Sequence, residues 1–255
     1  SYGLILISGP TGSGKTTTLY SMLEQLDRET NNVLSLENPI EYNIPGVSQS
    51  EIRPEIGYTF ATGLRTTLRQ DPDIIMVGEI RDKDTAKLAI QAALTGHLVL
   101  STIHTNNAVG VIPRLIDMGV DPFLIPPTLI MTIAQRLVKL LCPNSGKAIP
   151  IDGALKIMLE KQFSDLPNEF KKDIKIPNNI YTIGSSSDCP NGTKGRAAVF
   201  EIMEMNKEIE EAIMKDPSES AIYKIARKNG MLTMREDALL KAFKGEIPFE
   251  EANKL

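Results

Sequence analysis

Over the first 140 residues, short apolar runs alternate with segments of helical spacing. Gly3 to Ser8 reads as a buried strand, Lys15 to Leu26 as a helix and Val33 to Leu36 as a second strand. Thr59 to Arg69 is predicted helical, because Phe60, Leu64 and Leu68 recur at fourfold spacing. Ile74 to Val77 is wholly apolar and reads as a third strand. Asp84 to Leu94 follows as a helix, with Asp84 as its N-cap and Gly96 just past its end. Leu98 to Ile103 is a fourth strand. This alternation predicts an α/β fold, a mainly parallel sheet flanked by helices. From Cys142 onward prolines and asparagines accumulate and lysines cluster around Lys171 to Lys175. An irregular insertion with one helix near Ala154 to Gln162 is expected there. Arg196 to Met203 reads as a returning strand. Ile209, Ala212 and Ile213, then Ile222, Ile225 and Ala226, then Leu232 to Phe243 mark a helical tail. The expected organisation is therefore a core over 1–141, an insertion over 142–195, and a strand with a helical subdomain over 196–255.

Composition narrows the function classes. Of 255 residues, 42% are hydrophobic and 24% charged, with a net charge of -4. That is an ordinary globular balance, and it lacks the basic excess of a non-specific nucleic-acid binder. Cys142 and Cys189 are the only cysteines; two are too few to read as a disulfide framework. The apolar runs are too short to span a bilayer. No secretory leader precedes the first strand, so a soluble cytoplasmic protein is expected. That strand begins within a few residues of Ser1, and a natural start and a start cut from a longer chain are equally open.

Gly9, Pro10, Thr11, Gly12, Ser13, Gly14, Lys15 and Thr16 fit G-x-x-x-x-G-K-[ST] at every fixed position, between a strand and a helix. Such a loop turns several backbone N–H groups toward one anion and adds the positive end of a helix. Lys15 is expected to reach the β- and γ-phosphates of ATP and Thr16 to ligate Mg²⁺, with Thr17 beside them. The acid that such a loop needs has two candidates at strand ends. Glu79 follows Ile74-Ile75-Met76-Val77-Gly78, with glycine where aspartate usually stands. It is the candidate for organising Mg²⁺ and for hydrolysis. Glu37, followed by Asn38-Pro39-Ile40-Glu41, is a candidate for positioning water. A capping or salt-bridging role remains open for Glu37 and Glu41.

The two histidines flank one predicted strand. His104 follows it, on the edge of the phosphate loop, and could sense the γ-phosphate; His97 precedes it, where a structural role fits better. Arg65 and Arg69 are four apart and are expected to share a helical face. They make either surface salt bridges with acids such as Asp71 and Asp73, or contacts to a nucleotide held by a neighbouring subunit.

Taken together, these residues resemble the ATPases of type II secretion systems and type IV pili. The resemblance covers nearly the whole chain. It rests on Gly9 through Tyr20, on Glu37 through Glu41, on Leu64 through Asp73 leading into Val77-Gly78-Glu79-Ile80-Arg81-Asp82, and on Thr95-Gly96-His97 through Ser101-Thr102-Ile103-His104-Thr105-Asn106. It implies a RecA-like P-loop core, Mg-dependent ATP hydrolysis between the subunits of a homo-hexamer, and work on pilin-like subunits at the cytoplasmic face of the inner membrane. It also implies membrane platform and accessory proteins as partners, no nucleic acid, and an interface role for Arg65 and Arg69. A second domain normally precedes this core. Gly78 to Arg81, Leu100 to His104 and Ile133 to Leu137 are similar to the assembly and secretion branch rather than to retraction motors.

The chain departs from the family pattern at Asn38 and Asn107, where aspartate is usual; asparagine keeps hydrogen bonding without the charge. The four-cysteine zinc site of many assembly ATPases is reduced to Cys142 and Cys189, with Ser145 where a further cysteine would stand. A closed zinc site needs four ligands, so no zinc is expected, and the segment is expected to be held by other means or to move. A DNA-translocating or conjugation-type ATPase and a nucleotide-gated module with little turnover are the alternatives.

Overall fold

The computed structural model describes residues 2–255. In chain order the elements are β1 (Gly3–Ser8), α1 (Lys15–Gln25), β2 (Val33–Glu37), β3 (Ser48–Glu51), α2 (Phe60–Thr67), β4 (Ile74–Val77), α3 (Lys83–Leu94), β5 (Leu98–Ile103), α4 (Val111–Asp117), β6 (Leu129–Leu141), β7 (Lys147–Pro150), α5 (Gly153–Gln162), α6 (Asn168–Lys171), β8 (Asn179–Thr182), β9 (Thr193–Glu204), α7 (Lys207–Lys215), α8 (Glu219–Lys228), α9 (Met234–Phe243) and α10 (Phe249–Ala252). A seven-stranded sheet has the order β3-β2-β4-β5-β1-β6-β9, and β7 pairs with β8 in a separate antiparallel ribbon. The pairs β1–β5, β1–β6, β2–β3, β2–β4 and β4–β5 are all parallel. The α/β architecture read from the alternation is the one observed.

The chain forms two compact units, one running to Ala134 and including Met203–Tyr223, the other comprising Gln135–Ile202 and Lys224–Leu255. In the first, β1 and β4 are apolar throughout, save Gly3 and Ser8, and buried along their whole length. That pattern belongs to strands covered on both faces. Helix α3 packs against β1 and β5, and the face it buries carries Ala86, Ala89, Ile90, Ala92 and Ala93. Its N-cap is Asp82 rather than Asp84: Asp82 Oδ1 accepts the Thr85 amide at 2.8 Å, and Asp84 lies inside the first turn. Helix α2 ends at Thr67, so Arg69 stands beyond it, and the shared helical face expected for Arg65 and Arg69 does not form. Pro72 disfavours helix for Asp71, which adopts φ 50°.

The second unit gathers Val138, Leu159, Phe163, Ile180, Val199, Leu239 and Ile247 into one core. Its segment after Cys142 holds more regular structure than one helix, since β7, α5, α6 and β8 all lie there. Cys142 and Cys189 are joined in a disulfide. The turns on either side bring them together. The Cys142 amide donates to the Gly192 carbonyl at 3.0 Å, and Ser145 Oγ donates to the carbonyls of Cys142 and Gly192 at 2.9 and 2.8 Å. Count alone did not reveal this pairing, because it depends on those turns.

The second unit holds a buried ion pair. Arg227, 4% exposed, forks onto both oxygens of Glu236, which is fully buried, and also donates to Asp165 Oδ1 at 2.7 Å and to the Met231 carbonyl at 2.6 Å. Burial alone would lower the Arg227 pKa; the hydrogen bonds to Asp165 and Glu236 outweigh it and hold the group above its ordinary value. The same bond from Arg227 holds the Asp165 carboxyl below the usual carboxylate range. Arg227→Ala is expected to destabilise the fold by about 3–5 kcal/mol, because it strands the Glu236 carboxylate. Denaturant unfolding of the variant checks this; a loss under about 1 kcal/mol would refute it. Because the folded Asp165 pKa is depressed, its stabilisation is present above the ordinary carboxylate pKa and is lost as pH falls through the folded value.

Candidate active site

Parallel pairing of β1, β2, β4 and β5 brings the residues that follow these strands onto one edge of the sheet. Gly9 follows β1, Glu37 ends β2, Gly78 and Glu79 follow β4, and His104 follows β5.

Gly14 caps α1 with φ 87°, a left-handed conformation that side chains resist. The first turn of α1 carries no side-chain cap and no acidic residue, so nothing on the helix competes with an anion for its N–H groups. The Lys15 ammonium donates to the carbonyls of Gly9 and Pro10 at 2.9 and 3.0 Å. Burial lowers the Lys15 pKa, and the negative charge of Glu79 works in the opposite direction. Cation and carboxylate thus share one electrostatic neighbourhood. Thr16 and Thr17 are exposed, and Ser13 is buried.

Glu79 is largely buried. Its Oε2 lies 2.6 Å from Arg81 Nε and 3.6 Å from His104 Nε2. The structure therefore joins two residues singled out from sequence, Glu79 and His104, and adds Arg81. At Gly78, where the usual acid would stand, a side chain would be crowded. A Cβ on Gly78 would lie 3.2 Å from the Leu36 carbonyl oxygen and 3.5 Å from the Phe60 ring. The Gly78 amide donates to that same carbonyl at 2.8 Å, and its own carbonyl accepts from Thr102 Oγ1 at 2.7 Å. The backbone is clamped where a side chain would need room.

Glu37 is 2% exposed, and both its oxygens are engaged. Oε1 accepts from Ser35 Oγ at 2.6 Å and Gln49 Nε2 at 2.9 Å, and Oε2 accepts from the Tyr20 hydroxyl. That hydroxyl in turn accepts the Glu41 amide at 3.2 Å, and the Tyr42 ring meets the Tyr20 ring edge-on with centroids 4.6 Å apart. Glu37 and Tyr20 thus tie the loop after β2 to the helix that opens at the phosphate loop. Sequence reading missed the part played by Tyr20 and Gln49. Tyr20 was visible only as the tail of the phosphate-loop motif, and its signal is a hydroxyl placed where α1 turns an otherwise apolar face inward.

The remaining candidates lie apart. Arg65 is an exposed residue 4.0 Å from exposed Asp84. Arg69 is exposed too, and neither Arg65 nor Arg69 is among the contacts of Glu79 with Arg81 and His104. Asp73 accepts the Asn32 amide at 2.7 Å. His97 Nδ1 lies 2.8 Å from the Ala92 carbonyl and 3.2 Å from Thr95 Oγ1. It closes the end of α3, as the structural reading of it expected. Among the described residues, no cluster of three or more His, Cys, Asp or Glu side chains is placed to hold a metal ion, and no helix is long and apolar enough to cross a membrane.

Residues 1–254 match the family model described as "Type II/IV secretion system protein". The chain belongs to that family. It is 43% identical over 256 residues to a type II secretion system protein E of Xanthomonas campestris pv. campestris, covering 98% of this chain and 43% of that protein. It is 44% identical over 251 residues to the type IV pilus assembly ATPase PilB of Thermus thermophilus, covering 98% of this chain and 27% of that protein. Among solved structures, the pilus retraction motor PilT with bound ADP superposes with a TM-score of 0.70 at 28% identity, over 99% of this chain and 61% of PilT. The family member described here thus spans less than half the length of the two curated relatives.

The Tyr20 contacts generate a test. Burial and the Glu37 hydrogen bond push the Tyr20 pKa up to about 12. The raised value means that its stabilising contribution is full below the ordinary tyrosine pKa and is lost as pH rises through the folded value. Tyr20→Phe is expected to cost about 1–3 kcal/mol, because it leaves a buried carboxylate oxygen without its donor. The alkaline unfolding midpoint should shift accordingly. An unchanged denaturation curve would mean that the Tyr20–Glu37 bond carries no stability.

Proposed function

We propose that this chain is the Mg²⁺-dependent ATP-hydrolysing motor region of a pilus-assembly or type II secretion ATPase, working in a homo-hexamer at the cytoplasmic face of the inner membrane with platform and accessory proteins. The observation that carries this reading is the convergence, at one sheet edge, of a complete phosphate loop with Glu79 and His104. The names of the relatives at 43–44% identity, a secretion protein E and PilB, support assembly or secretion over retraction.

In this mechanism the backbone amides after Gly9 and the Lys15 ammonium bind the β- and γ-phosphates. The carbonyls of Gly9 and Pro10, which now accept from Lys15, are readily exchanged for phosphate oxygens. Glu79 orients the attacking water and accepts its proton. His104, beside Glu79, senses the γ-phosphate. Thr16 and Glu79 supply hard oxygen donors of the kind Mg²⁺ prefers. Bound there, the ion would supply positive charge that offsets the negative charge of the phosphates during transfer. Glu37 acts as an anchor for residues 38–41, and through that loop positions water. Arg65 and Arg69, exposed on the surface, reach a nucleotide held by the neighbouring subunit, where such an arginine contributes roughly 10³ to 10⁵ in rate.

ATP turnover measured against protein concentration tests the reading. Specific activity is expected to rise with concentration, and Glu79→Gln is expected to lose about 10²-fold or more while still binding nucleotide. Turnover that is independent of concentration would sink the shared-site arginines. Nucleotide binding without any turnover would replace the motor with a nucleotide-gated module.

A further inference from the structure

The segment that leaves β5 carries His104 and then runs through Thr105, Asn106 and Asn107 to the fully buried Ala108 and Val109 before α4. Asn107 makes contacts in four directions. Its carbonyl accepts from Ser8 Oγ at 3.5 Å and from Thr105 Oγ1 at 2.8 Å. Its Oδ1 accepts the Gly110 amide at 2.7 Å, and its Nδ2 donates to Glu219 Oε1. Ser8 directly precedes Gly9 of the phosphate loop, and Thr105 directly follows His104. Glu219 is the first residue of α8, where a carboxylate is favoured by the helix dipole.

We propose that Asn107 is a positioning residue for the hydrolytic edge, and that Asn107 and Glu219 together brace the His104 segment against the end of β1. This inference rests on the assignment of Glu79 and His104 to ATP hydrolysis. The physical case lies in the polarity of the amide. One end accepts from Gly110 while the other donates to Glu219; an amide offers both an acceptor and a donor, whereas a carboxylate only accepts. An aspartate at this position would keep the first bond and set its second oxygen against the Glu219 carboxylate. Asparagine here is therefore matched to the acid at 219. The pair borders an open recess of about 420 Å³ lined in part by Thr105, Asn106, Arg114 and Asp117, so solvent screens it and the effect of breaking it is moderate.

The test compares Asn107→Asp, Glu219→Gln and the double variant, using the ATPase kinetics of the whole chain and amide hydrogen exchange of residues 104–110. Asn107→Asp is expected to lower kcat roughly three- to tenfold, with KM for ATP changed less than about twofold, and to speed exchange across 104–110. The double variant restores the bond with its polarity reversed, the amide now at position 219 donating to a carboxylate at position 107. It is expected to recover both kcat and exchange protection. Glu219→Gln alone keeps an acceptor for Asn107 and is expected to stay within about twofold of the parent. A double variant as impaired as Asn107→Asp, or an Asn107→Asp protein with parental kcat and exchange, overturns the proposal. If the parent hydrolyses no ATP while exchange follows the stated order, the hydrolysis reading falls and the Asn107–Glu219 brace stands.

Discussion

The site depends on the register of four parallel strands. Ser8 is level with Ile103, so β1 and β5 end side by side and deliver Gly9 and His104 together. Val77 is level with Ser101, two residues short of the end of β5. Glu79 therefore leaves β4 alongside the last residues of β5, where the Ile80 amide bonds to the Thr102 carbonyl at 2.8 Å. Leu36 is level with Val77, which puts Glu37 one strand further along the same edge. A one-residue slip in any pair would move a side chain to the other face of the sheet and separate the acid from the lysine.

Hydroxyl groups at the strand ends secure that register where the ladder stops. Ser101 Oγ donates to the Val77 carbonyl at 2.6 Å, and Thr102 Oγ1 donates to that of Gly78 at 2.7 Å. Each such bond contributes about 0.5–1.5 kcal/mol. Their larger effect is to keep the backbone around Gly78 from relaxing away from Leu36. Two polar residues inside an otherwise apolar strand are thus part of how the site is shaped.

The strands that build this edge were legible because they are short, mostly apolar runs, with glycine after β1 and β4, an acid ending β2 and a histidine after β5. Other parts were not. β3 reads Ser48-Gln49-Ser50-Glu51; it lies at the sheet edge and has no apolar alternation to reveal it. β6, thirteen residues long, has no turn residue inside it, and its apolar pattern does not separate a long strand from a helix. Asp82 and Asp84 are equally good caps by type, and only the approach of the Thr85 amide decides between them. Among the candidate site residues, Lys15, Glu79 and His104 announced themselves by motif and by position after a strand. Tyr20 and Asn107 act through partners distant in sequence, and no local pattern carries that information.

His97 closes the end of α3 at one end of β5, and His104 meets Glu79 at the other; the chain has no other histidine. One strand thus carries a nuclear-magnetic label at each end, with its own backbone as the spacer. A perturbation confined to the His104 imidazole signal localises an event to the phosphate edge. At fixed pH and ionic conditions, one that moves both reports a change reaching both ends of the strand. The protein carries its own two-point gauge for telling local chemistry from a change that spans the strand.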